Sequence, residues 1–366
     1  MVIERLKQTV GAPCAPQSTN RHARGGGVDQ NWQCLAQQDV SQLRQWLRTL
    51  GLHPDPHVNA PNCKSKDDSC VLDTLSKLTT PRPQNNVAKT LSNKRLVPRA
   101  PSSWAKKPTT WLTTPEFGVV MRQYEAAYPE FEFLGASPID FDKPYDKSNT
   151  CVWPRICKFT IKKAIEKGKT KIGFVFNEDD HKSAGSHWIC AYMDIAEGAF
   201  YFIDSVGNPT PAEIVKLTNR LDDEYQALHG RPLVVHANTM PHQRGDNQCG
   251  MYCLFFIISL LTRAATYEEL TKKRIPDSAM ADMRKVLFRR PTPTGQQQPS
   301  GDAKQGGGTT KRRRRRGRTS GQCKRRGRSK VVGCRRRSTR YIRRTRRMRQ
   351  TRQTQRKRRN TRTLRR

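Results

Sequence analysis

The chain has 366 residues and a formal charge of +38, which is concentrated at one end. From Pro291 onward it carries 30 Lys and Arg against one acidic residue, whereas the preceding 290 residues have a net charge of only +9. Such a concentration of positive charge favours a polyanionic partner for the tail, above all nucleic acid. The longest apolar run, residues 251–261, is too short to cross a bilayer, and the N-terminus does not resemble a signal peptide. We therefore expect a protein that is neither secreted nor bound to a membrane.

The eleven cysteines give little support for a metal centre. They form no CxxC pair and no Cys/His spacing typical of a zinc site. We accordingly predict neither a metal ion nor a cofactor. For a protein without a secretion signal, the expected setting is intracellular and reducing, where the thiols stay free.

Composition divides the chain into four regions. Residues 1–30 contain a run of three glycines and few apolar residues, which predicts a disordered N-terminus. Residues 31–105 are predicted to be a helical extension and linker, with short helices over 32–50 and 69–78 before a stretch rich in Pro, Asn and Lys. Residues 106–290 form the folded body. Residues 291–366 have no apolar periodicity with which to bury a core, so we predict a disordered, Arg-rich tail.

Within the body, helical and strand patterns are well separated. Thr114-Pro115-Glu116 has the residues of a helix start, because proline suits the first helical turn. Short apolar runs rich in β-branched and aromatic residues predict strands, and longer amphipathic or apolar runs predict helices. The predicted elements are helices over 114–128, 155–167, 211–228, 249–261 and 278–288, and strands over 171–176, 188–193, 200–203 and 233–236.

Three short segments carry residues suited to nucleophilic catalysis. His187 begins a predicted strand, Asp204 follows the next strand, and Cys249 stands where a loop enters the apolar helix 249–261. A thiol attacks as the thiolate, which the N-terminus of a helix stabilises through its dipole and free amides. We predict that Cys249 is the nucleophile and that His187 is its base. Asp204 would hold one imidazole nitrogen and fix the tautomer.

The loop before the helix supplies a further candidate. Gln243 stands six positions before Cys249, where its side-chain amide can point towards a developing oxyanion. The backbone amide of Cys249 would be the second donor. Gly250, directly after the nucleophile, would keep the backbone open to a substrate.

These motifs, in this order and spacing, resemble the small-ubiquitin-modifier protease family and its viral relatives. The shared residues are His187-Trp188, Asp204-Ser205 and a Gln followed six positions later by Cys249-Gly250. Residues 111–114 are similar to the Trp-Leu segment that precedes a helix in that family. Residues 128–141 are similar to the branch found in large nucleocytoplasmic DNA viruses. The resemblance covers about residues 111–261.

The resemblance implies a fold and a substrate groove. The fold is α+β, a papain-like cysteine protease in which a central antiparallel sheet packs against the helix that carries the nucleophile. Residues 106–290 would be the protease domain. Trp111, Trp188 and Gly250 would contact the substrate, with Trp111 covering a narrow groove that admits Gly-Gly before the scissile bond.

Each candidate residue has a structural alternative. Cys249 could be an inert buried cysteine, as we expect Cys190 and Cys253 to be, and Trp111 could be an ordinary core residue. Asp194 competes with Asp204 as the partner of the histidine. Three further histidines compete with His187 for the role of base: His181, His236 and His242.

Three functional hypotheses follow. In the first, the chain is a viral thiol protease that cleaves core or capsid precursors after Gly-Gly sites during virion maturation. It would act in the virion and in the host cytoplasm or nucleus, with residues 309–366 bound to viral DNA. In the second, the same site removes ubiquitin-like modifiers from proteins. In the third, the chain is an inactive protease that condenses DNA. The tail could also be a nuclear-localisation signal, and Gly308 could be a site of self-cleavage.

Overall fold

The computed structural model describes residues 2–10, 14–16, 32–78, 85–145 and 150–290. The predicted tail, its DNA-binding role and the Gly308 site lie outside these residues. The helices are α1 (Val2–Val10), α2 (Gln37–Thr49), α3 (Asp68–Leu75), α4 (Val87–Arg95), α5 (Thr114–Ala127), α6 (Pro154–Cys157), α7 (Ile161–Glu166), α8 (Ala212–His229), α9 (Cys249–Leu261), α10 (Tyr267–Lys272) and α11 (Asp277–Leu287). The strands are β1 (Phe131–Pro138), β2 (Lys171–Asn177), β3 (Trp188–Asp194), β4 (Ala199–Ile203) and β5 (Val234–Ala237).

The five strands form one sheet in the order β1-β2-β3-β4-β5. Strands β2, β3 and β4 are antiparallel, whereas β1 is parallel to β2 and β5 is parallel to β4. The α+β class is therefore confirmed, but the sheet is antiparallel only at its centre. Sequence patterns missed β1, because its buried residues do not alternate and a register shift interrupts its pairing with β2.

Helices cover both faces of the sheet. Successive side chains of a strand point to opposite faces, so β2 directs Val175 towards α5 and α9, and Phe174 and Phe176 towards α7 and α8. The two faces therefore carry separate hydrophobic cores. Helix α9 belongs to the first core, and every residue of this helix except Leu260 is buried. A helix buried on all sides explains why its sequence is continuously apolar.

The N-terminal region is more ordered than its composition predicts. Residues 1–30 were predicted to be disordered, but Val2–Val10 forms helix α1, which packs on α11. Its Leu6 is fully buried in the core that contains α9. A helix this short is unstable alone and forms because α11 provides a surface for it.

The predicted linker also contains structure. Helix α4 and a 3₁₀ turn at Ser102–Ala105 lie within residues 79–108. Asn86 caps α4 by accepting a hydrogen bond from the Lys89 amide, and Leu91 is buried. Helices α2, α3 and α4 share a third hydrophobic core. The region predicted as a helical extension and linker thus contains three helices, and its last part is a packed helix and not a linker.

A half-buried charge cluster joins the extension to the rest of the folded body. Asp73 of α3 forms ion pairs with Arg99 and with Arg289, which follows α11. The Arg289 guanidinium also donates to the Ser69 and Ser92 hydroxyls, and its backbone amide donates to the Pro98 carbonyl. These contacts attach the extension beside the end of α11.

The helix predicted over 155–167 is two shorter helices, α6 and α7. The backbone is extended at Thr160, between the two helices. The Thr160 side chain caps α7 by accepting a hydrogen bond from the Lys163 amide. Threonine is a common N-cap residue, so this break had a sequence signal. Of the helices in the described residues, none has the length and apolar character needed to cross a membrane.

The cysteines contradict the expectation of free thiols. Six of them are paired: Cys14–Cys34, Cys63–Cys70 and Cys151–Cys157. Their separations of 20, 7 and 6 residues match neither a CxxC pair nor the Cys/His spacing of a zinc site. Cys190, Cys249 and Cys253 are free and buried.

We predict that two glycine-to-alanine changes have opposite effects on stability. At Gly173 of β2, a Cβ would lie 2.9 Å from the buried Phe131 ring and 3.3 Å from Ile257 of α9. Overpacking of this kind should lower the free energy of unfolding by about 1–3 kcal/mol. At Gly118 in α5, a Cβ would meet only the end of the Arg122 side chain, at 3.2 Å. Gly118→Ala should therefore raise stability by about 0.5–1 kcal/mol.

Urea unfolding of the two variants measures both effects. A loss of stability at Gly118 as large as that at Gly173 would contradict this account of the packing between the sheet and α9.

Candidate active site

The strand register explains how His187 and Asp204 meet. Strands β3 and β4 are antiparallel, with Cys190 opposite Ile203. His187 precedes β3 and Asp204 follows β4, so both lie at the same end of neighbouring strands despite their separation of 17 residues. The His187 Nε2 and Asp204 Oδ1 atoms are 2.6 Å apart.

The ionisation of His187 depends on two partners. Burial alone lowers the pKa of the imidazole, but hydrogen bonds to Asp204 and to Cys249 outweigh it and raise the pKa from 6.5 to about 10. Because Nε2 faces Asp204, Nδ1 is the nitrogen left for the Cys249 thiol. The arrangement therefore favours an imidazolium between a carboxylate and a sulfur.

Asp204 is fixed by the turn that follows β4. Its carboxylate accepts hydrogen bonds from the backbone amides of Val206 and Asn208, and the Asn238 side chain pairs with its backbone amide and carbonyl. Gly207 has a φ of +73°, and a Cβ there would lie 2.7 Å from the Thr239 carbonyl oxygen, so the turn needs glycine.

Cys249 is the first residue of α9 and is buried. The first amides of a helix have no acceptor within the helix, so they and the helix dipole surround the sulfur with positive potential. Cys253 lies one turn further in. Burial and its contact with Cys190 raise the pKa of Cys253 well above its usual value, so this thiol is the less suitable nucleophile.

Gln243 is held by the residue next to Asp204. The Ser205 hydroxyl donates to Gln243 Oε1 at 2.9 Å. The Ser205 carbonyl accepts from the backbone amide of Gln243 at 2.7 Å. A hydroxyl can donate or accept, so the end of the side-chain amide that carries nitrogen is fixed by the Gly245 carbonyl, which can only accept. Nε2 donates to the Gly245 carbonyl at 2.6 Å, which uses one of its two protons.

Helix α11 supports the same loop from behind. Asp277 accepts hydrogen bonds from the backbone amides of Arg244 and Gly245, at 3.1 and 2.9 Å, and from the Tyr252 hydroxyl at 2.9 Å. Asp277 therefore positions Gly245, which in turn positions the Gln243 amide.

The three predicted substrate-binding residues take different positions. Trp111 is 40% exposed, as a residue that covers a groove would be. Trp188 is buried, where its indole N–H donates to the Leu112 carbonyl at 2.9 Å and its ring packs against Phe117. It therefore contacts the Trp111 segment from the protein side.

Gly250 is also buried. The sequence predicted that it keeps the backbone open to a substrate, whereas in the structure it packs against other residues of the protein. A Cβ at this position would lie 2.9 Å from the Leu112 Cβ and 3.1 Å from the Phe117 ring. The glycine lets α9 approach the protein's own Leu112 segment closely. Any role in substrate binding is through that approach.

The competing residues have other partners. His242 is fully buried, where its Nδ1 accepts from the Ile275 amide, and burial lowers its pKa to about 4. His181 Nδ1 is 2.8 Å from Asp140, and His236 stacks on Tyr201. Asp194 accepts from the amides of the turn after β3.

Two charged residues beside the site were missed in the sequence. Burial raises the pKa of Glu178, which lies near His187 and Asp204. Arg284 of α11 lies near Cys249, and their electrostatic interaction favours the charged form of the arginine. Neither residue belongs to one of the three motif segments. Glu178 follows β2 and Arg284 lies in α11, so each comes near the site only when these elements pack.

One group of side chains in the described residues has the spacing of a metal site. Ligand atoms of Glu178, His187 and Asp204 lie within 4.8 Å of one another. In this structure Nε2 of His187 is directed at Asp204. A metal ion would therefore compete with the hydrogen bond that orients the histidine.

Comparison with known proteins agrees with this geometry. Residues 160–292 match the C-terminal catalytic domain of the Ulp1 protease family. Over 188 residues the chain is 28% identical to a candidate thiol protease of Acanthamoeba polyphaga mimivirus, a match that covers 51% of this chain and 60% of that protein. Over 301 residues it is 24% identical to the SUMO-1 cysteine protease of African swine fever virus, with 78% of this chain and 98% of that protein covered.

A solved structure supports the same fold. The crystal structure of the African swine fever virus pS273R protease aligns with a TM-score of 0.54 at 21% identity, and the alignment covers 78% of this chain and 99% of that one. Together with the match over residues 160–292, this confirms the resemblance found in the motifs. Residues 160–292 are therefore similar to the catalytic domain of the Ulp1 cysteine protease family.

Proposed function

We propose that the chain is a cysteine endopeptidase in which Cys249, His187 and Asp204 form a catalytic triad. The observation that carries the proposal is the position of His187. Its Nε2 is 2.6 Å from Asp204, and Cys249, at the N-terminus of a buried helix, is near enough to help raise the pKa of the imidazole. The Cys249 thiolate attacks the peptide carbonyl carbon. The imidazolium then gives its proton to the leaving amine, and the neutral imidazole later activates the water that releases the acyl group.

Charge that develops on the carbonyl oxygen needs hydrogen-bond donors already in place. The second N–H of Gln243 Nε2 is the proposed side-chain donor, because the first is held by Gly245, whose carbonyl orients the amide together with the Ser205 hydroxyl. The Cys249 backbone amide is the other donor. Neither donor has to reorganise during the reaction.

The proposed substrates are protein chains cut after Gly-Gly. Trp111 is exposed next to Leu112, which contacts the helix turn that carries Cys249 and Gly250. A groove between this tryptophan and the nucleophile leaves room for a backbone with no side chains. We further propose that the substrates are core or capsid precursors of a virus. The support for this is that the chain is similar to proteases of two large DNA viruses.

Residues 309–366 are proposed to bind viral DNA and so hold the enzyme beside the packaged genome. The support is the density of Lys and Arg in this segment. Neutralising many phosphates gives strong binding that depends on salt and not on base sequence. The enzyme would then act in the virion and at sites of assembly in the cytoplasm or nucleus.

A second candidate function uses the same active site. The relative from African swine fever virus carries the name SUMO-1 cysteine protease, which favours removal of ubiquitin-like modifiers. Incubation of the chain with a modifier conjugate and, in parallel, with a viral core polyprotein separates the two. Cleavage of the polyprotein alone supports maturation, whereas cleavage of the conjugate alone supports deconjugation.

We predict that Cys249→Ser abolishes peptide hydrolysis and labelling by a Gly-Gly vinyl-sulfone probe without changing the fold, because the thiolate is the attacking group. Cys253→Ser is the matched control, one helical turn away in the same core, and should keep both. Hydrolysis rates and intact mass after labelling are the measurements. Equal losses in the two variants would refute the assignment, and an unlabelled wild-type protein would support the hypothesis of an inactive protease.

A graded pair tests the oxyanion donor. Gln243→Ala removes the side-chain donor, so kcat should fall by about 10²–10³-fold with KM little changed. Ser205→Ala leaves the amide present and still bonded to the Gly245 carbonyl, so its loss of kcat should be smaller. Steady-state kinetics on one peptide gives both values. A larger effect at Ser205 than at Gln243 would show that the serine acts in another way.

Deletion of residues 309–366 tests the tail. The deletion removes 29 Lys and Arg, so DNA affinity and its steep dependence on salt should both collapse, while hydrolysis of a short peptide persists. The matched control is a tail of equal length in which Gln replaces each Lys and Arg. Affinity measured at several salt concentrations decides, and unchanged binding by the deleted form would place the DNA site on the body.

A further inference from the structure

Arg284 of α11 is a buried cation beside the proposed nucleophile, with 7% of its surface exposed. Its Nη1 donates to the Thr110 carbonyl at 2.8 Å, and its Nη2 lies 3.4 Å from the Asn247 carbonyl. Its guanidinium stacks on Trp104, with 4.3 Å between Cζ and the ring centroid. A buried guanidinium is costly unless its donors are satisfied, so these contacts determine where the side chain lies.

The two carbonyls belong to opposite sides of the groove. Thr110 directly precedes Trp111, and Asn247 stands two residues before Cys249. Arg284 therefore joins the segment that covers the groove to the loop that carries the nucleophile. The planar guanidinium has donors at fixed angles, so it holds both segments at one separation.

Trp111 is thus anchored on both sides. The Leu112 carbonyl accepts from the Trp188 indole at 2.9 Å, and the Thr110 carbonyl accepts from Arg284. The first anchor comes from strand β3 and the second from α11. Of these two anchors, only the second also reaches the nucleophile loop, and it sets the distance between Trp111 and Cys249 together with the close packing of Leu112 on Gly250.

Electrostatics agrees with this position. Burial lowers the pKa of Arg284 to about 10, and the negative charges of Cys249 and Glu116 oppose that change. The guanidinium therefore stays protonated at neutral pH, near enough to Cys249 to interact with its charge. Its other neighbours, Trp104 and the two carbonyls, are uncharged.

We propose that Arg284 is a specificity-determining residue, which holds the Trp111 segment and the nucleophile loop close enough to exclude substrates with side chains next to the scissile bond. The inference rests on the proposed function and deepens it. Arg284 acts by positioning, since it reaches the substrate only through Thr110 and Asn247. Widening the groove should reduce the preference for Gly-Gly substrates more than it reduces the reactivity of Cys249.

The principal variant is Arg284→Lys in the full-length chain. It keeps a positive charge near Cys249, but a lysine ammonium is a compact charge without the forked geometry that spans two carbonyls. The preference for a Gly-Gly peptide over a Gly-Ala peptide, as a ratio of kcat/KM values, should narrow by about tenfold. Alkylation of Cys249 by iodoacetamide, which does not need the groove, should change less than about twofold.

The matched control is Lys285→Ala on the same helix. The Lys285 side chain is 78% exposed and pairs only with Asp282, at 3.0 Å, so this variant should behave as wild type in every assay. Arg284→Met, which removes the charge as well, should narrow the preference at least as much as Arg284→Lys. Thermal unfolding shows whether each variant is folded at the assay temperature.

Hydrogen exchange tests the same contact without any substrate. In Arg284→Lys, amides of residues 110–113 and 246–248 should exchange about tenfold faster, since a buried hydrogen bond is lost at each side. Unchanged exchange in both segments would overturn the proposal, as would an unchanged Gly-Gly preference in a folded variant. If the wild-type enzyme cuts neither peptide, the Gly-Gly substrate is wrong, and the exchange result alone decides the role of Arg284.

Discussion

The burial of α9 is the constraint on which the rest of the structure depends. In the proposed enzyme, substrate has to reach the thiol at the N-terminus of this helix, while the remainder of the helix is enclosed by the sheet, α5 and α11. Gly173 and Gly250 permit this enclosure, because β2 and the Leu112 segment approach the helix where a side chain would collide. The free amides of the first turn then lie at the end of the helix that carries Cys249, where they can act on the sulfur and, in the proposed reaction, on an oxyanion. Core packing and the proposed chemistry therefore both constrain the position of α9.

A chain of hydrogen bonds connects the parts of the site. Asp204 orients His187 and its neighbour Ser205 contacts Gln243, so one turn after β4 holds both the proposed base and the proposed oxyanion donor. Asp277 holds Gly245, which accepts from that donor. Since each group is held by a partner that is itself fixed, little reorganisation is left for the reaction. The arrangement also places two residues of α11, Asp277 and Arg284, behind the nucleophile loop.

Several elements were beyond reach of sequence patterns for a common reason. Helix α1 is too short to be stable alone and forms against α11, and α4 lies in a stretch whose composition resembles a linker. Strand β1 lacks an alternating pattern because both of its faces are buried. The three cysteine pairs join residues whose proximity arises only after the chain has folded. In each case the stabilising partner is distant in sequence.

The sequence by itself determined the main helices and strands of the body, the apolar character of α9, and the residues His187, Asp204, Gln243 and Cys249. These carry local signals, since periodicity, caps and motif spacing are properties of neighbouring residues. Tertiary structure decided what those residues touch. It assigned Ser205 to Gln243, turned Trp188 inward to Leu112, gave Gly250 a packing role and brought Arg284 between Thr110 and Asn247. The physical reason is that orientation and burial come from contacts between elements far apart in the chain, which no local pattern records.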